Sequence, residues 1–534
     1  MAEQMTKQAS DTAEVEGTVE DNSVEGSPAP SELEAAARWR AHPFDVGDGE
    51  AAAFREECGV FGVFDVDAAA RFVALGLHAL QHRGQEAAGV GAYDETQDRF
   101  HVERRMGLVS DNFNKQEVLE RLPGRYAVGH NRYSTSGAKE QTELRDIQPL
   151  YAEFAQGGMA LAHNGNFTNA RQVRDRMISQ HGAIFQSSSD TECVMHLMAR
   201  STEETAAARL EAALKQMEGA FSIVALTSEQ MIGVRDPLGV RPLVIGRLDD
   251  GYVLASETVA LDIVNAEYIR DVSPGEMIVI DRRGLRSHWP FRRGPGRFCI
   301  FEYVYFSRPD SAIQGQSVYE VRQRIGEELA MMAPVEADLV CPVPDSGTPA
   351  ALGFAAASNI PFAYGIVKHQ YVGRTFIEPT KQMRDMKVRL KLNVNRRMVQ
   401  GKRVVLVDDS VVRGTTSRMI KDMVLEAGAK EVHFRIASPP TSWPCFYGVD
   451  TPDRDALMAA RMTEEQMRDE LGVTSLRFIT LDGLYRACGI DEGRDAHAPK
   501  FCDACFSGAY PFEPADAVDD GRLPAPSQRP KACA

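Results

Sequence analysis

Two adjacent carboxylates at the end of an apolar run, followed by a loop of small and hydroxyl-bearing residues, form a pattern suited to holding a sugar phosphate. Residues 404–417 read VVLVDDSVVRGTTS. The unbroken run 404–407 predicts a central strand of a parallel sheet covered on both faces, and ligands gather at the carboxyl ends of such strands. There Asp408 and Asp409 can pair with ribose hydroxyls or a metal. Ser410, Arg413, Gly414, Thr415, Thr416 and Ser417 offer hydroxyls, a cation and backbone N–H groups at the start of the next helix, the end that attracts phosphate. An ordinary strand, turn and capped helix would draw on similar residues. A second candidate is Cys58, which heads the alternating pattern EECGVFGVF over 56–64. Alone it reads as a small buried hydrophobe, as free cysteines often are. Further along stand LHALQHRGQEAAG (77–89), GHNRYSTSG (129–137), LAHNGNFTN (161–169) and SSSDTE (187–192). Taken singly, HNGN is an Asn-Gly turn after a strand, and SSSDTE is a helix N-cap with a nearby acid.

These residues must be carried by more than one core, since the chain has 534 residues and domains run to ~100–200 each. Composition is that of a globular protein, with no run of the ~18 apolar residues a bilayer span needs and no signal-peptide pattern. Nine cysteines in so long a chain are no disulfide scaffold; in a reducing compartment, the expected cytoplasm, they include nucleophiles or ligands. Charge is uneven. Residues 1–57 hold 14 acidic against four basic side chains, so this leader carries −10 of the net −16 and the rest only −6. With no steady apolar period the leader is expected to be disordered. The acidity argues against general nucleic-acid binding, which draws its affinity from cationic contacts to phosphate.

After the leader, GAFSIVAL (219–226), MIGVRDPLGVRPLVIG (231–246) and YVLASET (252–258) alternate β-rich runs with turns, predicting strands that close a layered α/β/β/α domain over 58–290. From about residue 310 the pattern becomes helix (319–332), strand (338–342), loop, helix and strand, as in a doubly wound domain. The second domain is assigned to 291–515, with 516–534 as a flexible tail. Between its phosphate loops, residues 365–393 are basic: Lys368, Arg374, Lys381, Arg384, Lys387, Arg389 and Lys391 face only Glu378 and Asp385. In general such a run is a solvated face or a nucleic-acid patch.

The order and content of the amino-half strings resemble class II glutamine amidotransferases, members of the N-terminal nucleophile hydrolases. The resemblance implies that Cys58 is the first residue of the mature chain and that residues 1–57 are a removed propeptide. A thiol of pKa ~8.5 and an α-amine of ~7.7–8.0 are nearly matched, so the free amine could accept the thiol proton. By the same resemblance Asn164 and the Gly165 N–H form an oxyanion hole, Arg132 takes the glutamine α-carboxylate through its planar fork, and Asp190 takes the α-ammonium. Arg83 and Gly84 are assigned to support, and the arginines of RDPLGVRPL to either role.

The 404–417 string resembles the phosphoribosyl pyrophosphate (PRPP) motif of type I phosphoribosyltransferases. VPDSGTPAA (343–351) is similar to their pyrophosphate loop, which implies that Ser346 joins Asp408 and Asp409 around Mg2+. KHQYVGRTFI (368–377) resembles a loop that closes over PRPP, with Lys368 and Arg374 as contacts, although His369 and Gln370 depart from the usual Asn and Arg. Together the halves imply glutamine-dependent conversion of PRPP to 5-phosphoribosylamine, glutamate and pyrophosphate, the first committed step of purine synthesis. Ammonia would pass inside the protein between the sites. A regulatory module that kept only the PRPP loop would have no need of the glutaminase residues, and a sugar-phosphate aminating enzyme would lack the PRPP loop.

Cys299, Cys445, Cys502 and Cys505 sit in RFCIFEYVYFSRPDS, SPPTSWPCFYGVD and FCDACFSGAYP. These strings resemble a branch of the same family that binds a [4Fe–4S] cluster through four thiolates, with zinc as the rival occupant. Cys193, Cys341, Cys488 and Cys533 match no motif and are read as buried or incidental. The family also implies a homotetramer, sometimes a dimer, and feedback inhibition by AMP and GMP.

Overall fold

The computed structural model describes residues 58–133, 144–155, 157–292, 294–369, 391–451 and 453–529. The leader 1–57, Arg374 with the rest of 370–390, and Cys533 lie outside the described residues. Among the described residues no helix is long and apolar enough to cross a membrane.

In the amino half two antiparallel sheets stack face to face. One has seven strands, with Gly59–Phe64 at its centre between Gly251–Ala255 and Tyr126–Arg132; the other has six, with Gly157–Phe167 paired to Gly219–Thr227. Period-two alternation explains why each sheet is buried on both faces. Val60 and Phe64 point inward to a core shared with Ala160, Ala162, Val224 and Leu226. Phe61 and Val63 point outward against Val73 and Leu77 of the helix Ala69–Ala79. On the second sheet Leu161, Phe221 and Ile223 meet Val173, Val194 and Leu210, from the helices Ala170–His181, Thr191–Arg200 and Ala206–Leu214. The result is an α/β/β/α sandwich whose strands run from Gly59 to His288.

The carboxyl half is built on a four-stranded parallel sheet ordered Leu339–Pro342, Arg403–Asp408, Glu431–Ile436, Ser475–Phe478. All three pairings are parallel. Val405 and Val407 share a core with Val321, Ile325 and Phe354, while Val404 and Leu406 pack with Ile420, Val424 and Leu471. Residues 404–407 are therefore covered on both faces, as a parallel strand between helical layers must be. Fully burying each such aliphatic side chain is worth ~1.5–3 kcal/mol.

The two halves share a core. Ala220 and Val240 of the sandwich lie in the same apolar cluster as Phe301, Val405 and Val407. The segment expected to be a flexible tail is instead packed over its described part. Residues 515–519 form a short helix, Ala517 and Leu523 are buried, and Asp516 accepts the backbone N–H groups of Arg171 and Gln172. The physical reason is that these N–H groups open the helix Ala170–His181 and need acceptors, while Trp443 and Phe446 supply an apolar seat.

Candidate functional site

The strand Gly59–Phe64 starts one residue after Cys58, and Gly59 pairs with Asn131. That register sets the thiol beside Arg132, at the end of the neighbouring strand. Cys58 is buried and its Sγ lies 3.7 Å from the carbonyl oxygen of Tyr133. Burial pushes the thiol up to about 11, against smaller lowering effects of that hydrogen bond and of Arg132. At neutral pH it is therefore protonated unless a base removes the proton.

Across the sandwich, Asn164 and Gly165 stand at the far end of the strand Gly157–Phe167. Gly165 has φ +138°, and a Cβ there would fall 2.1 Å from the Ala220 carbonyl oxygen, so only glycine fits. The Asn164 side chain is buried, and neither its Nδ2 nor its Oδ1 has a hydrogen-bond partner among the described residues. Leaving such an amide unpaired costs ~1–3 kcal/mol; a bound oxyanion would remove part of that cost. Asp190 immediately precedes the helix Thr191–Arg200, and its Oδ2 accepts the Phe167 N–H at 2.9 Å. Burial raises its pKa, but His163, the Phe167 N–H and Thr191 outweigh that and hold it below the usual carboxylate value. Arg132 gives Nη1 to the Asp146 carbonyl at 3.1 Å and leaves Nε without a partner among the described residues.

Cys58, Arg132, Gly165 and Asp190 line one cavity of about 490 Å³. The sequence reading missed several of its other walls. Tyr133, Gln148 and His163 come from the sandwich, but Phe446, Gly448, Val449, Pro514, Asp516 and Arg522 come from the carboxyl half. Tyr133 and His163 lie in the strings 129–137 and 161–169, and Phe446, Gly448 and Val449 in the string around Cys445, where the cysteine alone was the signal; Gln148, Pro514, Asp516 and Arg522 lie in none of the quoted strings. Cys193 also lines the cavity, yet it is buried and pushed up to about 12 by desolvation.

In the carboxyl half, loops 343–347 and 409–414 leave the ends of adjacent parallel strands. The Val343 N–H donates to the Val407 carbonyl at 2.8 Å, joining the two. Asp408 and Asp409 are both buried. Desolvation and then the neighbouring Asp409 push Asp408 well up; desolvation also raises Asp409, partly offset by hydrogen bonds from Ser346 and Ser410 and by Arg322. Ser346 thus reaches Asp409. Gly414, at φ +79°, opens the helix Thr415–Glu426 with no side-chain cap. The first N–H groups, on Thr415, Thr416 and Ser417, have no intrahelical acceptor. Arg413 is exposed beside them. Lys368 pairs with Asp345 of the facing loop at 2.6 Å, both side chains exposed.

Buried charges hold the halves together. Arg83 donates to Glu257 and, through Nη2 at 2.5 Å, to Glu302. Burial alone would lower the Arg83 pKa, but the two carboxylates raise it above the usual range. Its supporting role follows from that position. Arg235 and Arg241 are also structural: Arg235 donates to the carbonyls of Arg241, Val272 and Gly239, and Arg241 Nε donates to the Tyr447 carbonyl at 2.7 Å.

Cys299, Cys445, Cys502 and Cys505 line a single cavity of about 20 Å³, whose other walls include Val240, Phe301, Phe306, Val449 and Ala504. Phe298–Cys299 and Phe501–Cys502 pair in parallel, which sets two of the thiols side by side. Cys299, Cys445 and Cys502 each accept the N–H of the residue two positions on, Phe301, Tyr447 and Ala504. Desolvation raises Cys299 to about 11 and, with mutual repulsion, Cys502 and Cys505 well above the usual thiol value. Among the described residues no three His, Cys, Asp or Glu are arranged to hold a single metal ion.

Residues 130–262 match a glutamine amidotransferase domain. The chain is 51% identical to an amidophosphoribosyltransferase of Rhizobium etli, over 88% of this chain and 95% of the relative. It is 45% identical to an amidophosphoribosyltransferase of Bacillus subtilis, over 86% and 94%. Among solved structures it resembles glutamine PRPP amidotransferase from B. subtilis complexed with ADP and GMP, with TM-score 0.79 and 44% identity over 85% of this chain and 98% of that one.

Proposed function

The chain belongs to the amidophosphoribosyltransferases, and from that premise we propose how its two sites divide one reaction. The enzyme carries out the glutamine-dependent first step of purine biosynthesis, turning PRPP, glutamine and water into 5-phosphoribosylamine, glutamate and pyrophosphate. In our reading Cys58 becomes the amino terminus when residues 1–57 are removed, and its own amine takes the thiol proton. The buried thiol, raised to about 11, supports the need for such a base. Sγ adds to the glutamine carboxamide carbon while Asn164 Nδ2 and the Gly165 N–H receive the oxyanion. Collapse returns the proton from the α-ammonium to the leaving nitrogen and expels ammonia. Water then cleaves the thioester to give glutamate. Arg132 and the ionised Asp190 hold the substrate's α-carboxylate and α-ammonium. The observation that carries this reading is the gathering of Cys58, Arg132, Gly165 and Asp190 on one cavity, with the unpartnered, buried Asn164 amide one residue before Gly165.

At the second site, Asp408 and Asp409 accept ribose hydroxyls, Ser346 and Lys368 face the pyrophosphate, and Ser410, Gly414, Thr415, Thr416 and Ser417 receive the 5′-phosphate, with Arg413 and Arg374 adding charge. Two carboxylates raised by desolvation suit a partner cation. Mg2+ keeps most of its water and takes one or two protein carboxylates together with substrate oxygens, so Asp408, Asp409 and Ser346 fit a magnesium that arrives with PRPP. When bound it would neutralise the departing pyrophosphate. The shared apolar core between the halves supports an interior route for ammonia, which water would protonate to a non-nucleophile.

For the four thiols we favour a [4Fe–4S] cluster over zinc. The reading rests on the likeness of the four strings to the cluster-binding branch, and the N–H···S bonds on Cys299, Cys445 and Cys502 would suit its thiolates. Such a cluster would tie the strands bearing Cys299 and Cys502 to Cys445 and Cys505, with no part in the transfer chemistry. AMP- and GMP-type nucleotides are the inhibitors we assign to the phosphate loops, a homotetramer the assembly, and the cytoplasm the compartment. The test is Asp408→Asn with Asp409→Asn. It should lose synthesis from both glutamine and ammonium by at least a hundredfold while glutamine hydrolysis continues; normal synthesis in that variant would overturn the PRPP assignment.

A further inference from the structure

The strand end assigned to the oxyanion is paired with Gly219–Thr227 of its own half, and its open side is met by the other half of the molecule. Gly448, at φ +108°, lies against the Gly165 backbone: a Cβ on it would stand 3.0 Å from Gly165 Cα, 3.1 Å from its carbonyl carbon and 3.2 Å from its oxygen. Two residues earlier, the Phe446 carbonyl accepts Asn166 Nδ2 at 3.0 Å, although the two are 280 positions apart. Residues 446 and 448 therefore grip the two residues that follow Asn164. The gripping segment is itself fixed from both sides. The Tyr447 carbonyl accepts Arg241 Nε, the Tyr447 N–H donates to Cys445 Sγ at 3.4 Å, and the Tyr447 hydroxyl donates to the Phe512 carbonyl. Cys445 lines both the glutamine cavity and the four-thiol cavity.

We propose that Gly448 and the Phe446 carbonyl are the positioning elements of the glutaminase oxyanion hole, setting the Gly165 N–H and, through Asn166, the Asn164 amide. This rests on the reading of Cys58, Asn164 and Gly165 given above. Donors aimed at a developing oxyanion act in the transition state, and losing one typically lowers kcat by ~10²–10³. A backbone displaced by a few tenths of an ångström keeps the donor but misdirects it, so the effect is smaller yet of the same kind. It falls on kcat and not on substrate binding. Because the atoms nearest a Cβ on Gly448 all belong to Gly165, synthesis from ammonium reports separately on whether the variant is folded.

The experiment compares Gly448→Ala and Asn166→Ala with the parent enzyme. Gly448→Ala should lower kcat for glutamine hydrolysis at least tenfold, leave KM for glutamine within twofold, and leave ammonium-dependent synthesis within twofold. Asn166→Ala, which adds no bulk, should shift the same constants in the same pattern. If Gly448→Ala fails to fold and loses both activities, Asn166→Ala decides alone. Unchanged kcat in Asn166→Ala, or a rise in KM matching the fall in kcat/KM, would overturn the proposal. Cys58→Ala and Asn164→Ala serve as references: if they too retain glutamine hydrolysis, the site assignment has failed, whereas their loss with Gly448→Ala and Asn166→Ala intact refutes only the positioning role.

Discussion

At the scale of single residues, the chemistry turns on whether the Cys58 thiol has a base of its own. Its Sγ faces a carbonyl oxygen, which can accept its proton's hydrogen bond but not the proton. Burial holds it at about 11. In protein that retains residues 1–57, alkylation of Cys58 by iodoacetamide should therefore climb about tenfold per pH unit from neutrality, since the thiolate is the nucleophile, without levelling off below about pH 10. In protein beginning at Cys58 the inflection should fall toward the α-amine's pKa of ~7.7–8.0. A low plateau in leader-bearing protein would show that the amine is not the activator. Single residues were also where the sequence spoke most clearly. Cys58, Arg132, Gly165 and Asp190 were each picked out by local strings, and the fold gathers them on one cavity. Phe446 and Gly448 lie in the string around Cys445, but nothing local marks their part, which depends on a contact made across 280 positions.

At the scale of elements, the strand Arg403–Asp408 shows how a stable piece of structure carries an unstable end. Residues 404–407 are apolar and covered on both faces, and that much was plain from the unbroken β-branched run. The burial of the two carboxylates that follow was not, since the groups around them, such as Ser346 and Arg322 beside Asp409, come from distant parts of the chain. The Asp408 pKa is raised in the fold, so protonated Asp408 costs nothing extra at low pH. As pH rises past the unfolded value near ~3.9 toward the raised folded one, the native state loses stability relative to a neutral side chain. Asp408→Asn should thus raise the melting temperature of the ligand-free enzyme at pH 7, and the gain should vanish at acid pH. Thermal scans between pH 4 and 8 would check this. A variant less stable than the parent at pH 7 would mean that the pair is already compensated within the protein.

At the scale of the whole molecule, two domain types were legible because each announces itself through short, contiguous motifs. Their joining was not, because it is made by distant partners: Arg83 with Glu302, Arg241 with Tyr447, Asp516 with the helix Ala170–His181. The segment 516–534, expected to be a flexible tail, walls the glutamine cavity over its described part with Asp516, Ala517 and Arg522. These contacts make one body of a glutaminase and a phosphoribosyltransferase, and the account requires nitrogen released in the first to be used in the second. The direct measurement supplies amide-unlabelled glutamine and excess 15N-ammonium together with Mg2+ and PRPP, and reads the isotope in trapped 5-phosphoribosylamine. The parent enzyme should incorporate mainly unlabelled nitrogen and Cys58→Ala only 15N. Label in the parent's product at the bulk ratio, or unlabelled nitrogen persisting in Cys58→Ala, would contradict a Cys58 glutaminase that feeds the PRPP site.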